Sequence, residues 1–158
     1  ENLLGREGAG ASIFTSTQET ERALILATQI GSMDRQLEDC VRYAQERTAN
    51  DQPIGKFQAV SHRIADMKLR LESARLLTYR AAWTMDRHLP GMLDSALANL
   101  QTSEAFLSNS IDAIRTFGAR GYVSEFEVER DLRDAMGGPI YSGTSDIQRN
   151  IVARMLGL

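Results

Sequence analysis

The stretch GGPIYSGTSDIQRNIVARMLGL at residues 137–158 combines turn-forming residues with a helical pattern. Small residues lead directly into the helix, whose free backbone N–H groups could bind an anion or a polarised carbonyl. Ser142 lies in this turn and raises the question of nucleophilic catalysis. A nucleophilic serine needs a base within reach. The sequence places neither His62 nor His88 near the turn, so we reject a hydrolytic role for Ser142.

The start of this last helix also has an ordinary structural interpretation. Ser145 and Gln148 have the spacing of a capping box, and Thr144 is an alternative cap. The spacing alone therefore leaves helix initiation and ligand binding both open. The helix that follows is predicted to bury a stripe formed by Ile147, Ile151 and Met155.

Two further stretches could contact an anionic ligand. FGARGY at residues 117–122 has glycines that suit either a helix–helix turn or a close backbone approach, and Arg115 lies beside it. ERTANDQPIGKFQ at residues 46–58 places Arg47 and Gln58 on either side of a loop, which could equally be a solvated basic rim.

A fourth stretch, ETERALILA at residues 19–27, carries Glu21 and Arg22 in the first turns of a predicted helix. An acidic residue near a helix N-terminus is favourable in itself. A carboxylate at this position could instead act as a general base. Spacing does not choose between these two interpretations.

The elements that must position these residues are helices, because strand signals are scarce. The first predicted helix begins at a capping box formed by Ser16 and Glu19, and it ends near residue 49. The others are expected at about 60–85, 92–117, 124–135 and from residue 145 onward. Long helices joined by short breaks pack antiparallel. The predicted fold is therefore all-α, an antiparallel four-helix bundle with a short extra helix.

Composition excludes several classes of function. The 158 residues carry a net charge of −3, which argues against nucleic acid as the main partner. No apolar run is long enough to cross a membrane, so no membrane partner is expected. The single cysteine, Cys40, is typical of a cytoplasmic protein. No residue is assigned to a metal site.

In this order, the four stretches resemble the C-terminal helical domain of the acyl-CoA dehydrogenase family. The family's ending, Y-E-G-T-x-x-I-Q-R-x-I-x-A-R-x-L-G, is matched closely at residues 141–157. Its P-I-G-x-x-Q element is matched at residues 53–58, and its N-x-L-G-x-x-G-x-G leader at 2–10. The resemblance implies that residues 1–15 are a linker from a β-domain and that residues 16–158 form the bundle. The 158 residues alone are expected to be inactive.

The resemblance implies an FAD-dependent enzyme that dehydrogenates an acyl thioester between its α and β carbons. It implies a homo-oligomer, a dimer or tetramer, in which the ADP end of FAD contacts a neighbouring subunit. An electron-transfer flavoprotein or oxygen would accept the electrons. The residues implied to contact the ADP end are Arg47, Gln58, Arg115, Gly118 and Ala119. Those implied to contact FAD in their own active site are Thr144, Ser145 and Asp146, and those implied to line the thioester site are Arg22, Ser142 and Gly143.

The chain departs from the family at its usual base. The Glu of E-G-T is replaced by Ser142, whose hydroxyl cannot serve as a base without activation. A minority of the family, resembling the isovaleryl-CoA type, carries its base in L-E-R on the first helix, where this chain has Glu21. We therefore predict that Glu21 removes the α-proton. The family's Q-x-x-G-G is also altered, because it reads RTFGA at residues 115–119.

Two questions stay open at this point. The relocated base also occurs in dehydrogenases of aminoacyl groups, such as prolyl groups, held on carrier proteins, and the sequence does not separate these substrates from CoA thioesters. The alternatives to a dehydrogenase are a non-catalytic FAD-binding subunit of a hetero-oligomer and a related flavin oxidase or monooxygenase.

Overall fold

Helices form nearly all of the regular structure in residues 3–158, the part of the chain that the computed structural model describes. The first two residues of the predicted linker lie outside this part. The helices are α1 (Gly10–Leu24), α2 (Ala27–Glu46), α3 (Gln58–Asp86), α4 (Met92–Phe117), α5 (Ala119–Tyr122), α6 (Val128–Ala135) and α7 (Ser145–Met155). A two-stranded antiparallel pair, β1 (Thr48–Ala49) and β2 (Gln52–Pro53), joins α2 to α3 together with a 3-10 turn at Ile54–Lys56. No helix among the described residues is long and apolar enough to cross a membrane.

The predicted first helix is divided into α1 and α2 by a break at residues 25–26. It begins at Gly10, so the predicted capping box at Ser16 is wrong and Ser16 lies inside α1. Glu19 has another partner, because its Oε1 accepts a hydrogen bond from the backbone N–H of Gly91 at 3.0 Å. This bond fixes α1 against the loop that precedes α4.

The bundle is organised around α4, which packs against α1, α2, α3, α6 and α7. Its most deeply buried face is formed by small and polar side chains, whereas its leucines are only half buried. Ser103, Ser110 and Thr116 tolerate this burial because their hydroxyls bond to backbone carbonyls within the helix, as Ser110 does to Phe106 at 2.8 Å. The buried set includes Ser95, Ala98, Asn99, Thr102, Ala105, Asn109, Ser110 and Ala113.

The last helix is rotated relative to its prediction. Thr144 is the cap, since its Oγ1 accepts from the backbone N–H of Ile147 at 3.3 Å, and the capping box at Ser145 is wrong. Residues buried in α7 are Ser145, Gln148 and Ile151. Ile147 and Met155 are 45% and 48% exposed, so the predicted stripe is correct only at Ile151.

The short extra helix is also divided. A 3-10 turn at Ser124–Phe126 precedes α6, and Glu127 separates the two with a left-handed backbone at φ 57°. With α1 and α2 counted as one bent helix, the bundle consists of that helix, α3, α4 and α7. The prediction of an all-α four-helix bundle with a short extra helix is confirmed.

Candidate functional site

The turn before α7 meets the last turn of α1. The Ser142 hydroxyl donates a hydrogen bond to Glu21 Oε1 at 2.6 Å, although 121 positions separate the two residues in the sequence. The structure therefore brings together the predicted base and the position where the family has its usual carboxylate. We call the group formed by Glu21, Arg22, Ser142 and Gly143 the turn site.

The backbone of the turn site has positive φ angles and is bound by a buried side chain of α7. Ser142 and Gly143 both have left-handed backbones, at φ 57° and 92°. Gln148 is fully buried, and its Nε2 donates to the carbonyls of Ser142 at 3.2 Å and Gly143 at 2.8 Å. A Cβ at Gly143 would come within 2.8 Å of that nitrogen, so this position requires glycine for both space and backbone angle. The sequence predicts Gln148 only as part of a capping box, and no local signal indicates this buried role.

Arg22 adds a donor that has no partner within the described residues. Its Nη2 donates to Gln18 Oε1 at 2.6 Å, which fixes the guanidinium along α1. Its buried Nε has no hydrogen-bond partner among residues 3–158, and it lies 3.8 Å from the position that a Cβ on Gly143 would take. A buried guanidinium donor without a partner is costly, so an acceptor on a ligand would stabilise it.

The three residues at the start of α7 lie differently from one another. The Thr144 side chain is exposed and caps the helix, and the Asp146 carboxylate is 91% exposed and paired with Arg149 at 3.5 Å. The Ser145 hydroxyl is buried without a hydrogen-bond partner among the described residues. That hydroxyl and the exposed helix N-terminus suit a polar ligand group, and the contact of these three residues to FAD stays a prediction.

A second group forms an open cavity of about 400 Å³ at the other end of α2. We call it the basic cleft. It is lined by Tyr43, Arg47, Ile54, Thr116, Phe117, Gly118, Ala119 and Arg120. Three of the five residues predicted to contact the ADP end of FAD therefore lie together. The other two, Gln58 and Arg115, are exposed and are not among the lining residues.

The basic cleft fits the anionic and aromatic ends of a dinucleotide. Gly118 has φ 62°, and a Cβ there would meet nothing within 4 Å, which leaves its backbone open to a ligand. Tyr43 stacks on Phe117 with ring centroids 4.2 Å apart, and the Arg120 guanidinium lies 6.0 Å from the Tyr43 ring. A cation beside an exposed aromatic surface can hold a phosphate together with a base. Arg120 lies within the FGARGY stretch at residues 117–122, whereas nothing in the sequence marks Tyr43.

The two groups lie at opposite ends of one helix. The turn site is next to the start of α2, and Arg47 directly follows its end. The twenty residues of α2 span about 30 Å. One chain therefore presents two separate binding surfaces, one suited to a reacting group and the other to an anionic ligand.

Comparison with known proteins gives a consistent result. The family model described as "Acyl-CoA dehydrogenase, C-terminal domain" matches residues 8–157. The L-prolyl-[peptidyl-carrier protein] dehydrogenase of Pseudomonas fluorescens is 53% identical over 157 residues, 99% of this chain and 41% of the relative.

Two solved structures have nearly the same fold. The prolyl acyl carrier protein oxidase AnaB matches with a TM-score of 0.98 and 45% identity, over 99% of this chain and 42% of that one. The FAD complex of PigA matches with a TM-score of 0.95 and 42% identity, over 98% and 40%. The chain thus spans about two fifths of the length of these relatives.

Proposed function

The chain belongs to the acyl-CoA dehydrogenase family, and from that premise we propose that the whole protein carrying this domain dehydrogenates an acyl thioester with FAD. The observation that carries the proposal is the 2.6 Å contact between Glu21 and Ser142. It places one carboxylate at the turn where the family's usual base is absent. Glu21 is the catalytic base in this proposal, and Ser142 is not a nucleophile.

The reaction needs a base aimed at a weakly acidic α-proton and a donor that stabilises the thioester carbonyl. Glu21 takes the proton, and Arg22 has an Nε–H beside the same turn that has no partner among residues 3–158. When bound, FAD supplies the two-electron chemistry by accepting the β-hydrogen as hydride. Thr144, Ser145 and Asp146 would contact the FAD of their own active site near the turn site. Arg47, Gly118 and Ala119 would hold the ADP end of a second FAD, bound in a neighbouring subunit.

We propose a prolyl or similar aminoacyl group on a carrier protein as the substrate, in preference to an acyl-CoA. The support is the 53% identity to a prolyl-carrier-protein dehydrogenase together with the 45% identity to the prolyl carrier protein oxidase AnaB. A carrier-bound acyl group and an acyl-CoA present the same thioester to the turn site, so the family's CoA substrates are the alternative.

The electron acceptor has two candidates, and the relatives include a named dehydrogenase as well as a named oxidase. An electron-transfer flavoprotein would serve a dehydrogenase, whereas oxygen would serve an oxidase, as the name of AnaB indicates for that relative. Stoichiometric oxygen consumption during turnover, without an added acceptor, would assign the protein to the oxidases. Slow reoxidation in air would favour a flavoprotein acceptor instead.

We propose a cytoplasmic homo-oligomer. Two surfaces about 30 Å apart on one chain suit contacts to two cofactors, one of them in a neighbouring subunit. An exposed apolar strip on α3, suited to burial between subunits, is formed by Leu69, Leu76, Tyr79 and Trp83. A monomeric mass by light scattering of the FAD-loaded protein would contradict this proposal.

The test uses the whole FAD-loaded protein and two thioesters, an L-prolyl carrier protein and butyryl-CoA. Mass analysis should detect the loss of two hydrogen atoms, and the L-prolyl carrier protein should react in preference to butyryl-CoA. Glu21→Gln should lower turnover by about 10²- to 10⁴-fold while FAD stays bound. Glu19→Gln is the matched control, because its amide oxygen can still accept from Gly91 and it does not contact Ser142.

The outcomes separate the candidate functions. Turnover that survives Glu21→Gln would remove Glu21 as the base. A wild-type protein that binds FAD but never loses the flavin's yellow colour with either thioester would support the non-catalytic subunit.

A further inference from the structure

The Glu21 carboxylate has one side-chain partner within residues 3–158, and that partner is Ser142. Glu21 is exposed at the last turn of α1, and the ion pairs of the described chain do not include it. An exposed glutamate rotates freely about its side-chain bonds, so an unheld carboxylate would spend little time aimed at a substrate. The 2.6 Å hydrogen bond from the Ser142 hydroxyl to Oε1 removes much of this freedom.

Ser142 is held in a conformation that serine does not favour. Its φ of 57° lies in the left-handed region, which costs a residue with a Cβ about 1 kcal/mol relative to glycine. The buried Gln148 amide binds its carbonyl at 3.2 Å and the next one at 2.8 Å, which keeps the turn in place. The hydrogen bonds from Gln148 therefore fix the backbone that carries the Ser142 side chain, and the Ser142 hydroxyl lies within hydrogen-bond distance of Glu21.

We infer that Ser142 is a positioning residue, which holds Glu21 by Oε1 and leaves Oε2 free to receive the substrate's α-proton. The C–H bond at the α carbon breaks, and its proton forms the O–H bond on Oε2. The electron pair of that bond becomes the new double bond as the β-hydrogen leaves as hydride, which bound FAD would accept. The serine proton is not transferred, so the hydroxyl acts only through the orientation of Glu21.

The role assigned to Ser142 rests on the proposed function, because it has no meaning unless Glu21 is the base. The test compares Ser142→Ala and Ser142→Gly in the whole FAD-loaded protein. The probe is an L-prolyl carrier protein thioester, protonated or deuterated at the α carbon. Both variants lose the hydroxyl, but the glycine variant also relaxes the left-handed backbone. Ser61→Ala, which removes an exposed hydroxyl on α3, is the control.

We expect both Ser142 variants to lower kcat by about 10- to 100-fold. The KM and the FAD affinity should change by less than about twofold, since the Ser142 hydroxyl donates its proton to Glu21 and not to the substrate. The deuterium isotope effect at the α carbon should increase, because proton removal becomes slower relative to the other steps. Loss of folded structure alone would not raise this isotope effect selectively.

Two results would overturn the positioning role. One is wild-type kcat and isotope effect in both Ser142 variants. The other is wild-type kcat in Ser142→Gly alone, which would assign the loss in the alanine variant to the backbone. The Glu21→Gln measurement keeps the hypotheses apart. An inactive Glu21→Gln with fully active Ser142 variants removes only the role of Ser142, whereas an active Glu21→Gln removes the proposed base itself.

Discussion

The turn site and the basic cleft lie at opposite ends of α2 and are built by different means. The turn site is fixed by hydrogen bonds between residues far apart in the sequence, such as Ser142 to Glu21 and the Gln29 amide to the Tyr141 hydroxyl at 3.0 Å. The basic cleft is formed by two loops and a pair of stacked rings, and it is open to solvent. Several hydrogen bonds that converge on one turn restrict it to one geometry, whereas an open cleft can adjust to its ligand.

This structural difference is consistent with the function proposed for each of the two sites. Proton removal depends steeply on the position of the base, so the turn site needs a rigid frame. Binding of a flexible anionic cofactor depends on charge and an accessible backbone, which the basic cleft provides through Arg47 and Gly118. The comparison therefore predicts that damage at the turn site affects stability and rate, while damage at the basic cleft affects FAD affinity.

The largest effect is expected for Gln148→Ala. The substitution leaves a cavity at a fully buried position and removes the donor to two carbonyls in the turn site. We expect it to destabilise the protein by about 2–4 kcal/mol and to lower the melting temperature measured by calorimetry. Gln45→Ala, on the exposed face of α2, should change stability by no more than about 0.5 kcal/mol. A Gln148→Ala protein as stable as wild type would show that the turn site does not depend on this amide.

The second largest effect, a loss of FAD affinity, is expected at the basic cleft for Arg47→Ala. Arg47 is exposed and lines the basic cleft, so its loss should remove one charged contact to FAD without disturbing the fold. A charge-assisted hydrogen bond contributes about 1.5–3 kcal/mol, which corresponds to a rise of about 10- to 100-fold in the FAD dissociation constant. The kcat at saturating FAD should stay near the wild-type value. The control is Arg42→Ala, which removes an exposed arginine outside the lining of the basic cleft. A lower kcat in Arg47→Ala at saturating FAD would mean that the basic cleft and the turn site are not independent.

The sequence predicted the helices and their breaks better than the contacts between them. Proline and glycine mark the ends of α3 and α4, and these ends agree with the structure. The contact between Glu21 and Ser142 joins distant positions, so no local pattern could reveal it. The buried face of α4 was also missed, because a serine that bonds to its own helix, as Ser110 does, has the same sequence signature as an exposed one.

The basic cleft has a natural reporter in Cys40. This residue is fully buried on α2, and the pKa of its thiol is raised from 9.0 to about 12, first by burial and then by the negative charge of Asp39. A hydrogen bond with Thr116, which lines the basic cleft, offsets part of this rise in the pKa of the Cys40 thiol. As pH rises from 9 towards 12, an unfolded chain would lose this proton while the folded chain keeps it, so the folded state loses stability. Near pH 8, thiol reagents should therefore label Cys40 only when its surroundings open.

The smallest expected effect is a change in the Cys40 labelling rate, which tests whether the basic cleft and the turn site open independently. Gly118→Ala puts a Cβ on a residue with φ 62° and ψ −135°, a backbone conformation that favours glycine, which costs at least about 1 kcal/mol and should raise the rate of Cys40 labelling by at least about fivefold. Gly31→Ala is the matched control, because Gly31 lies inside α2 with open space around its Cβ position and alanine favours the helix there. We expect no comparable increase from Ser142→Gly, since that substitution relaxes a backbone at the opposite end of α2. Equal acceleration by Gly118→Ala and Ser142→Gly would mean that α2 transmits disturbance along its full length, and that the turn site and the basic cleft form one cooperative unit.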